Sequence, residues 1–363
     1  MPTKQQGIAL ISVLITMSII ATLSASLMYS HHIDIERTGK LTQHTQIWAL
    51  VFGLESMASS ALKLDGKLTK YDGLTDKWAE LNNKQMPIIG MEGAFFSIAL
   101  SDLQGAFNLN NLSDANKNKL VAQKQLKHLL TALVNEKAEP EDPDAPDAPD
   151  QSQDYQEFDV EAARDSIVDW IDANSDRSDK GAEDDEYYSS VPAYLTANGP
   201  MAVATELAVV VSFTDETGKS LLPKLIESKN VPSVDKQQDN TQEMQQDSTD
   251  EKKPVEVTTP HIVALPIYTK LNVNTANSEV LQALLDAVKD TSAAKNKKNT
   301  ANVLTVSGAA TKIIQDRQSS SEQAFKDEDD FYDAVIQAAK GSNNTKDFWK
   351  KNLRSEERRV GKE

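Results

Sequence analysis

The chain has 363 residues, with 55 Asp and Glu against 38 Lys and Arg, for a formal net charge of −17. That balance disfavours nucleic acid as a partner, because phosphate contacts require Lys and Arg. Cysteine is absent, which excludes disulfides and thiolate metal sites without arguing against a periplasmic location. A polar leader, Met1 to Gly7, runs directly into an uncharged apolar stretch from Ile8 to Ser30. A stretch of that length suffices to span a bilayer, which takes roughly 20 helical residues. A candidate processing site, Gly7|Ile8, therefore precedes the apolar run. An ordinary secretory signal carries its small-residue site behind a shorter run, so here the helix stays with the mature chain. Lys4 and the amino terminus before the run, and acidic groups after it, suit an N-in, C-out topology.

Apolar residues then recur at three- and four-residue steps from Ile33 through Leu62, with no proline between Thr3 and Pro87. The pattern predicts one continuous helix, half in lipid and half against a soluble domain, with Gly39 and Gly53 as its weak points. Met91–Leu100 reads as a strand, Asp102–Gly105 as a turn, and Ala106–Leu112 as a second extended piece. Ser113 or Asp114 is expected to cap a helix running through Leu133. The tract 136–154, rich in Pro and Asp, cannot build a core and is expected to be a disordered insertion. Asp159–Ile171 reads as a helix, 172–192 as a loop, and Ala204–Val211 as helical or extended. The polar tract 227–260 is expected to be a flexible linker. Beyond it, Thr275 or Asn274 is expected to cap a helix over Glu279–Leu285, followed by helices at Ala309–Arg317 and Asp329–Lys340.

Between Glu136 and Asp185 stand 19 acidic and 4 basic residues, a net −15 of the total −17. Such a concentration makes either a solvated acidic segment or a divalent-cation site. Within it, Asp172, Asn174 and Asp176 alternate as in many calcium loops. Glu183, Asp184 and Asp185 return a second set of carboxylates after Gly181. The offsets are wrong for an EF-hand. The competing reading is a solvated acidic loop with no bound ion, against which Trp170 and Ile171 argue for order. No nucleophile elbow or phosphate loop is present, and His31, His32, His44, His128 and His261 form no ligand spacing, so an enzyme is not expected.

The leader, Met1–Gly7 followed by the apolar run, resembles the type III signal of the type IV pilin and pseudopilin superfamily. The resemblance implies a prepilin peptidase cutting after Gly7 and methylation of Ile8. Most pilin-like chains carry a Glu at the fifth mature position, where this one has Ser12; loss of that Glu resembles the tip-initiating minor pseudopilin K family of type II secretion. Further segments match that family in order: Asp102-Leu-Gln-Gly-Ala-Phe-Asn-Leu-Asn-Asn111, the stretch from Val168 to Leu207, and Leu271-Asn-Val-Asn-Thr-Ala276. The family implies an α+β fold: a long N-terminal transmembrane helix on a pseudopilin α/β framework, with a large inserted, mainly α-helical, sterile-alpha-motif-like domain that binds calcium. It implies the divisions 1–7 leader, 8–30 transmembrane helix, 31–112 pseudopilin helix and first strands, 113–226 inserted domain, 227–260 linker and 261–353 second helical part.

Carried over to matching positions, the implied Ca2+ ligands are Asp172, Asn174, Asp176, Glu183, Asp184 and Asp185, with Asn198 and Glu206 in support. The implied partners are the I and J minor pseudopilins, the major pseudopilin and prepilin peptidase. The implied site is the inner membrane, with the soluble part in the periplasm. Two other classes compete: a single-span calcium-binding periplasmic protein, and a membrane-anchored DNA-uptake protein. The second arises because 272–276 resembles the opening of helix-hairpin-helix modules, although no Gly-containing hairpin follows. The tail 354–363 looks like read-through appended to a truncated gene, the alternative being a genuine charged tail.

Overall fold

A computed structural model of the chain describes residues 5–69, 71–79, 82, 85–87, 95–138, 158–189, 193–213, 260–295, 304–320, 324–341, 344–353 and 358–359. It is α+β, rich in helix with short strands, and divides into two compact units after Lys63. The first unit is the bulk of helix α1, Gln5–Leu68, which runs unbroken through Gly39 and Gly53. Neither glycine has a neighbour within 4 Å of the position a Cβ would take, so the helix needs no glycine there and loses only local rigidity. Thr16 and Thr22 fold their hydroxyls back onto the carbonyls of Ser12 and Ser18, both at 3.1 Å, which satisfies polar side chains within an apolar stripe. An 18-residue stretch of α1 has mean hydropathy 2.1 and none of it is buried, so the helix is long and apolar enough to cross a membrane.

In the second unit, β1 (Gln85–Pro87) pairs antiparallel with β2 (Phe95–Ser97), with Met86 opposite Phe96. Of the expected strand Met91–Leu100, residues 91–94 lie outside the described part, Phe95–Ser97 is strand, and Ile98 makes only an isolated bridge to Asn82. The predicted turn at Asp102 is a 3-10 turn, Leu103–Gly105, whose capping Asp102 side chain accepts from the Gln104 N–H. A two-residue β3, Phe107–Asn108, pairs in parallel with β4, Ile262–Val263. A 3-10 turn, Leu109–Leu112, follows.

Helix α2 spans Lys119–Ala138, not the predicted start at Ser113 or Asp114. Ser113 Oγ instead accepts from the Ala115 N–H in a tight turn, and Asp114 is engaged by Lys119 Nζ. Helix α2 also continues past Leu133 into the first three residues of the acidic tract; residues 139–157 lie outside the described part. Helix α3 spans Val160–Ile171, close to the expected Asp159–Ile171, and Asp159 serves as its cap, its side chain accepting from the Ala162 N–H. The predicted loop 172–192 contains a short helix, α4 (Asp184–Tyr188), because Glu186 reaches back to the Glu183 N–H and closes a turn. Ala204–Val209 and Val211–Phe213 are 3-10 turns. The predicted linker falls almost wholly on 214–259, outside the described residues.

Helix α5, Ser278–Lys295, is capped by Asn277, whose Oδ1 accepts from the Val280 N–H, rather than by Thr275 or Asn274. Both of those are spent on tertiary bonds: Asn274 exchanges two hydrogen bonds with the Phe325 backbone, and Thr275 donates to Asp102 Oδ2 at 2.7 Å. Helices α6 (Ala309–Ser319), α7 (Glu328–Ala338) and α8 (Lys346–Asn352) complete the unit. In the tail, Arg358–Arg359 pairs in parallel with Leu271–Asn272.

One core joins these elements. Helix α2 packs along α5, and Leu126, Leu129, Leu130 and Leu133 share a cluster with Leu281, Leu284, Leu285 and Val288, all nearly or fully buried. Each such leucine contributes roughly 1.5–3 kcal/mol by burial. Two asparagine-rich segments stitch the edges of this core. Asn110 donates to the Met201 and Leu265 carbonyls and accepts from the Met201 N–H. Asn272 donates to Asp102 Oδ2 at 2.7 Å, the same oxygen that receives Thr275. Gly105 fits between them because a Cβ there would stand 2.9 Å from the Thr275 carbonyl.

Candidate metal centre beside helix α3

The acidic constellation is assembled where α3 ends. Asp165, Asp169 and Asp172 follow at helical spacing, so they share a face, and all three are buried despite their charge. Asp169, fully buried, accepts from the Ser178 N–H with both carboxylate oxygens, at 3.2 and 3.1 Å. Asp165 accepts from Arg164 and from the Lys180 N–H. These two carboxylates tie the loop 173–182 back onto the helix. Gly181 permits the close approach, since a Cβ at that position would lie 1.9 Å from Asp169 Oδ2. Trp170, buried on the same helix, meets Tyr187 of α4 edge-on at 5.2 Å.

Asp172 ends α3, and its Oδ1 is buried without a hydrogen-bond partner among the described residues; its Oδ2 lies 3.7 Å from Lys119 Nζ. Glu183, 7% exposed, has both carboxylate oxygens buried and without a hydrogen-bond partner among the described residues. Asn198 Oδ1 is likewise buried and unsatisfied, and its backbone is held at a φ of 45°. Thr196, two residues earlier in the chain, is bound by N–H and hydroxyl to Asp184 Oδ1 at 3.0 and 2.6 Å.

The electrostatics follow from this crowding. Burial, reinforced by Asp169, Asp172 and Asp184, pushes Glu183 up to about 7. Burial also raises Asp172 and Asp169, with Lys119 opposing the rise at Asp172. Asp184 moves the other way, lowered by its bonds from Thr196. Buried carboxylates near one another are costly unless a cation or proton neutralises them.

Of the residues singled out from the sequence, Asp172 and Glu183 are therefore brought together with unsatisfied oxygens. Asp184 adjoins them but is committed to Thr196. Asn174, Asp176 and Asp185 are exposed, and Asn174 Oδ1 accepts from the Asp176 N–H at 2.8 Å. Glu206 caps its own turn, accepting from the Ala202 and Val203 N–H groups. Sequence reasoning passed over Asp165 and Asp169, whose signal was the acidic i, i+4, i+7 series on an otherwise apolar face. It also passed over Asp65, Asp72 and Asp76, which each bring one oxygen within 4.8 Å of the others. Gly7 and Ile8 lie in the first turns of α1.

Comparisons with known proteins bear on the same region. The profile of the family described as type II secretion system (T2SS), protein K, matches residues 105–226. Type II secretion system protein K of Pseudomonas aeruginosa is 27% identical over 226 residues, 60% of this chain and 61% of that protein. Its counterpart in Aeromonas hydrophila is 28% identical over 209 residues, 57% of this chain and 59% of that protein. The chain thus spans about three fifths of the length of the curated relatives it matches. Among solved structures, the GspK-GspI-GspJ complex of the enterotoxigenic Escherichia coli type 2 secretion system contains a similar chain, at 22% identity and a TM-score of 0.46 over 82% of this chain and 83% of that one. Profile and curated relatives together bear out the resemblance of this chain to the type II secretion protein K family.

Proposed function

We propose that this chain is a non-enzymatic minor pseudopilin of the K type, held in the inner membrane by α1 and acting at the tip of a type II secretion pseudopilus. The observation that carries the reading is an uncovered, membrane-length apolar helix on the same chain as the region 105–226 that matches the K family. After removal of Met1–Gly7, Ile8 becomes the methylated N-terminus. The apolar helix then packs among the helices of the I and J minor pseudopilins and the major pseudopilin. Ser12 stands where most pilin-like chains have a Glu that pairs with the terminal amine of the subunit above. A subunit without that carboxylate, in hydrocarbon where an unpaired charge is costly, is suited to begin or cap the fibre.

Calcium belongs to the same proposal. The ion takes six to eight oxygens at about 2.3–2.6 Å and tolerates irregular geometry. Asp172 Oδ1, both Glu183 carboxylate oxygens and Asn198 Oδ1 are buried oxygens with hydrogen-bonding capacity unspent, so the donor set fits a hard cation. Asp172 and Glu183 would hold such an ion, which would supply the positive charge that the crowded carboxylates lack. Asp169 and Asp165 hold the loop between α3 and α4 by its backbone, and Lys119 partly balances Asp172.

Processing tests the reading directly. Co-expression with a prepilin peptidase should remove Met1–Gly7, read as intact mass, and Gly7→Leu should leave the leader in place. Equal processing of the variant, or removal of the whole apolar run, contradicts the proposal.

A further inference from the structure

A pocket of about 310 Å³ opens on the second unit, lined by residues of α2, α5 and the loop 266–270. Its floor is apolar, formed by Phe107, Val121 and Leu284. Its polar lining is distinctive in a chain of net charge −17: Lys117 and Lys270 are present and no carboxylate is. Lys117 is exposed and makes no ion pair among the described residues. Gln125 is 7% exposed, lines the pocket, and its carboxamide makes no hydrogen bond among the described residues. Its amide atoms are open to the pocket rather than sealed from it, so they can bond to whatever fills it. Water or a ligand in the pocket is the remaining source of partners.

The rim is rigid. Tyr268 is held at a φ of 72°, a left-handed backbone that a bulky residue rarely adopts. Its N–H donates to Asn111 Oδ1 at 3.0 Å and its hydroxyl to the Ala115 carbonyl at 2.6 Å, so two bonds fix the strained residue at the mouth. Asn111 in turn donates to the Thr269 carbonyl, and Asn116 to the Asn111 carbonyl. The asparagines therefore build the wall, while Gln125 and Lys117 keep their bonding capacity.

We propose that this pocket binds an acidic peptide segment of a partner protein, with an apolar side chain on the floor and an adjacent carboxylate drawn by Lys117. The carboxamide of Gln125 offers both N–H donors and a carbonyl acceptor, so it can complement the C=O and N–H of a peptide unit, whereas a simple anion would use only the donors. The volume, near the lower end of ligand pockets, suits one side chain and its flanking backbone.

The test is fluorescence anisotropy of a labelled Gly-Ser-Leu-Asp-Glu-Gly peptide against the full chain in zwitterionic detergent, with excess calcium throughout. Saturable binding is expected, weakened about tenfold by Lys117→Glu and by Gln125→Leu, since each removes one bond of charge-assisted or buried type. A peptide with Asn and Gln in place of its acidic residues should bind as weakly as the variants. Lys117→Glu alters an exposed, unpaired side chain and so keeps the test decisive if Gln125→Leu fails to fold. Absence of saturable binding, equal binding by wild type and Lys117→Glu, or displacement by citrate as effective as by unlabelled peptide would each overturn the proposal.

Discussion

Replacing Glu183 by Gln should have opposite effects with and without calcium. In the wild-type fold, Glu183 sits at about 7 against an ordinary value of 4.5, with both oxygens buried beside Asp169, Asp172 and Asp184. A carboxyl whose folded value lies above its unfolded one binds protons more tightly in the native state. Its contribution to stability is therefore complete below pH 4.5 and is lost as pH rises to about 7. At pH 8 without calcium the wild-type protein carries this buried, ionised group, and Glu183→Gln relieves it, so the variant should melt higher. Calcium reverses the order. At a hundredfold excess over its dissociation constant a ligand stabilises by about 2.7 kcal/mol. For a unit of this size, at about 2–4 °C per kcal/mol, that amounts to a rise of about 5–10 °C in Tm for the wild type. Glu183→Gln, lacking one charged ligand, should show little or no rise. The assay is calorimetric melting of the full chain at pH 8 in chelator and in calcium, with the fluorescence of buried Trp170 as a second probe. A wild-type Tm that ignores calcium, or a variant that responds as the wild type does, refutes the reasoning.

Two further outcomes follow from the packing. Gly181→Ala drives a methyl group to 1.9 Å from Asp169 Oδ2, so the loop must move. Overpacking of this kind costs about 1–3 kcal/mol, and the variant should lose Tm by chelator-scan calorimetry as well as weaken calcium binding. Asn110→Ala removes the bonds to Met201 N–H, Met201 O and Leu265 O, which tie three separated segments. With buried backbone groups left unsatisfied, a loss of about 2–3 kcal/mol is expected, measured as a lower urea midpoint at unchanged slope.

Helix boundaries were legible wherever local chemistry dictated them. The helix read over Asp159–Ile171 is observed as Val160–Ile171, and the apolar period carried α1 through two glycines. Boundaries failed where side chains were spent over long range. Asn274 looked like a helix cap yet bonds Phe325, 51 residues away, and Thr275 bonds Asp102, 173 residues away. The carboxylate site was legible as composition but not as geometry. Alternation pointed to Asp172, Asn174 and Asp176 together, whereas only Asp172 turns inward, because it ends α3 while the other two ride an exposed loop. Asp165 and Asp169 organise that loop through backbone N–H groups, a role that becomes visible only once the chain has folded back over the helix.

Co-purification with the I and J components tests the central claim most directly. The full chain, tagged and extracted in mild detergent from membranes that also contain I and J minor pseudopilins, should bring both down as a stoichiometric complex, with the ternary species persisting through size exclusion. Recovery of the chain free of both partners, from membranes where I and J associate with each other, would contradict its assignment as a K-type minor pseudopilin.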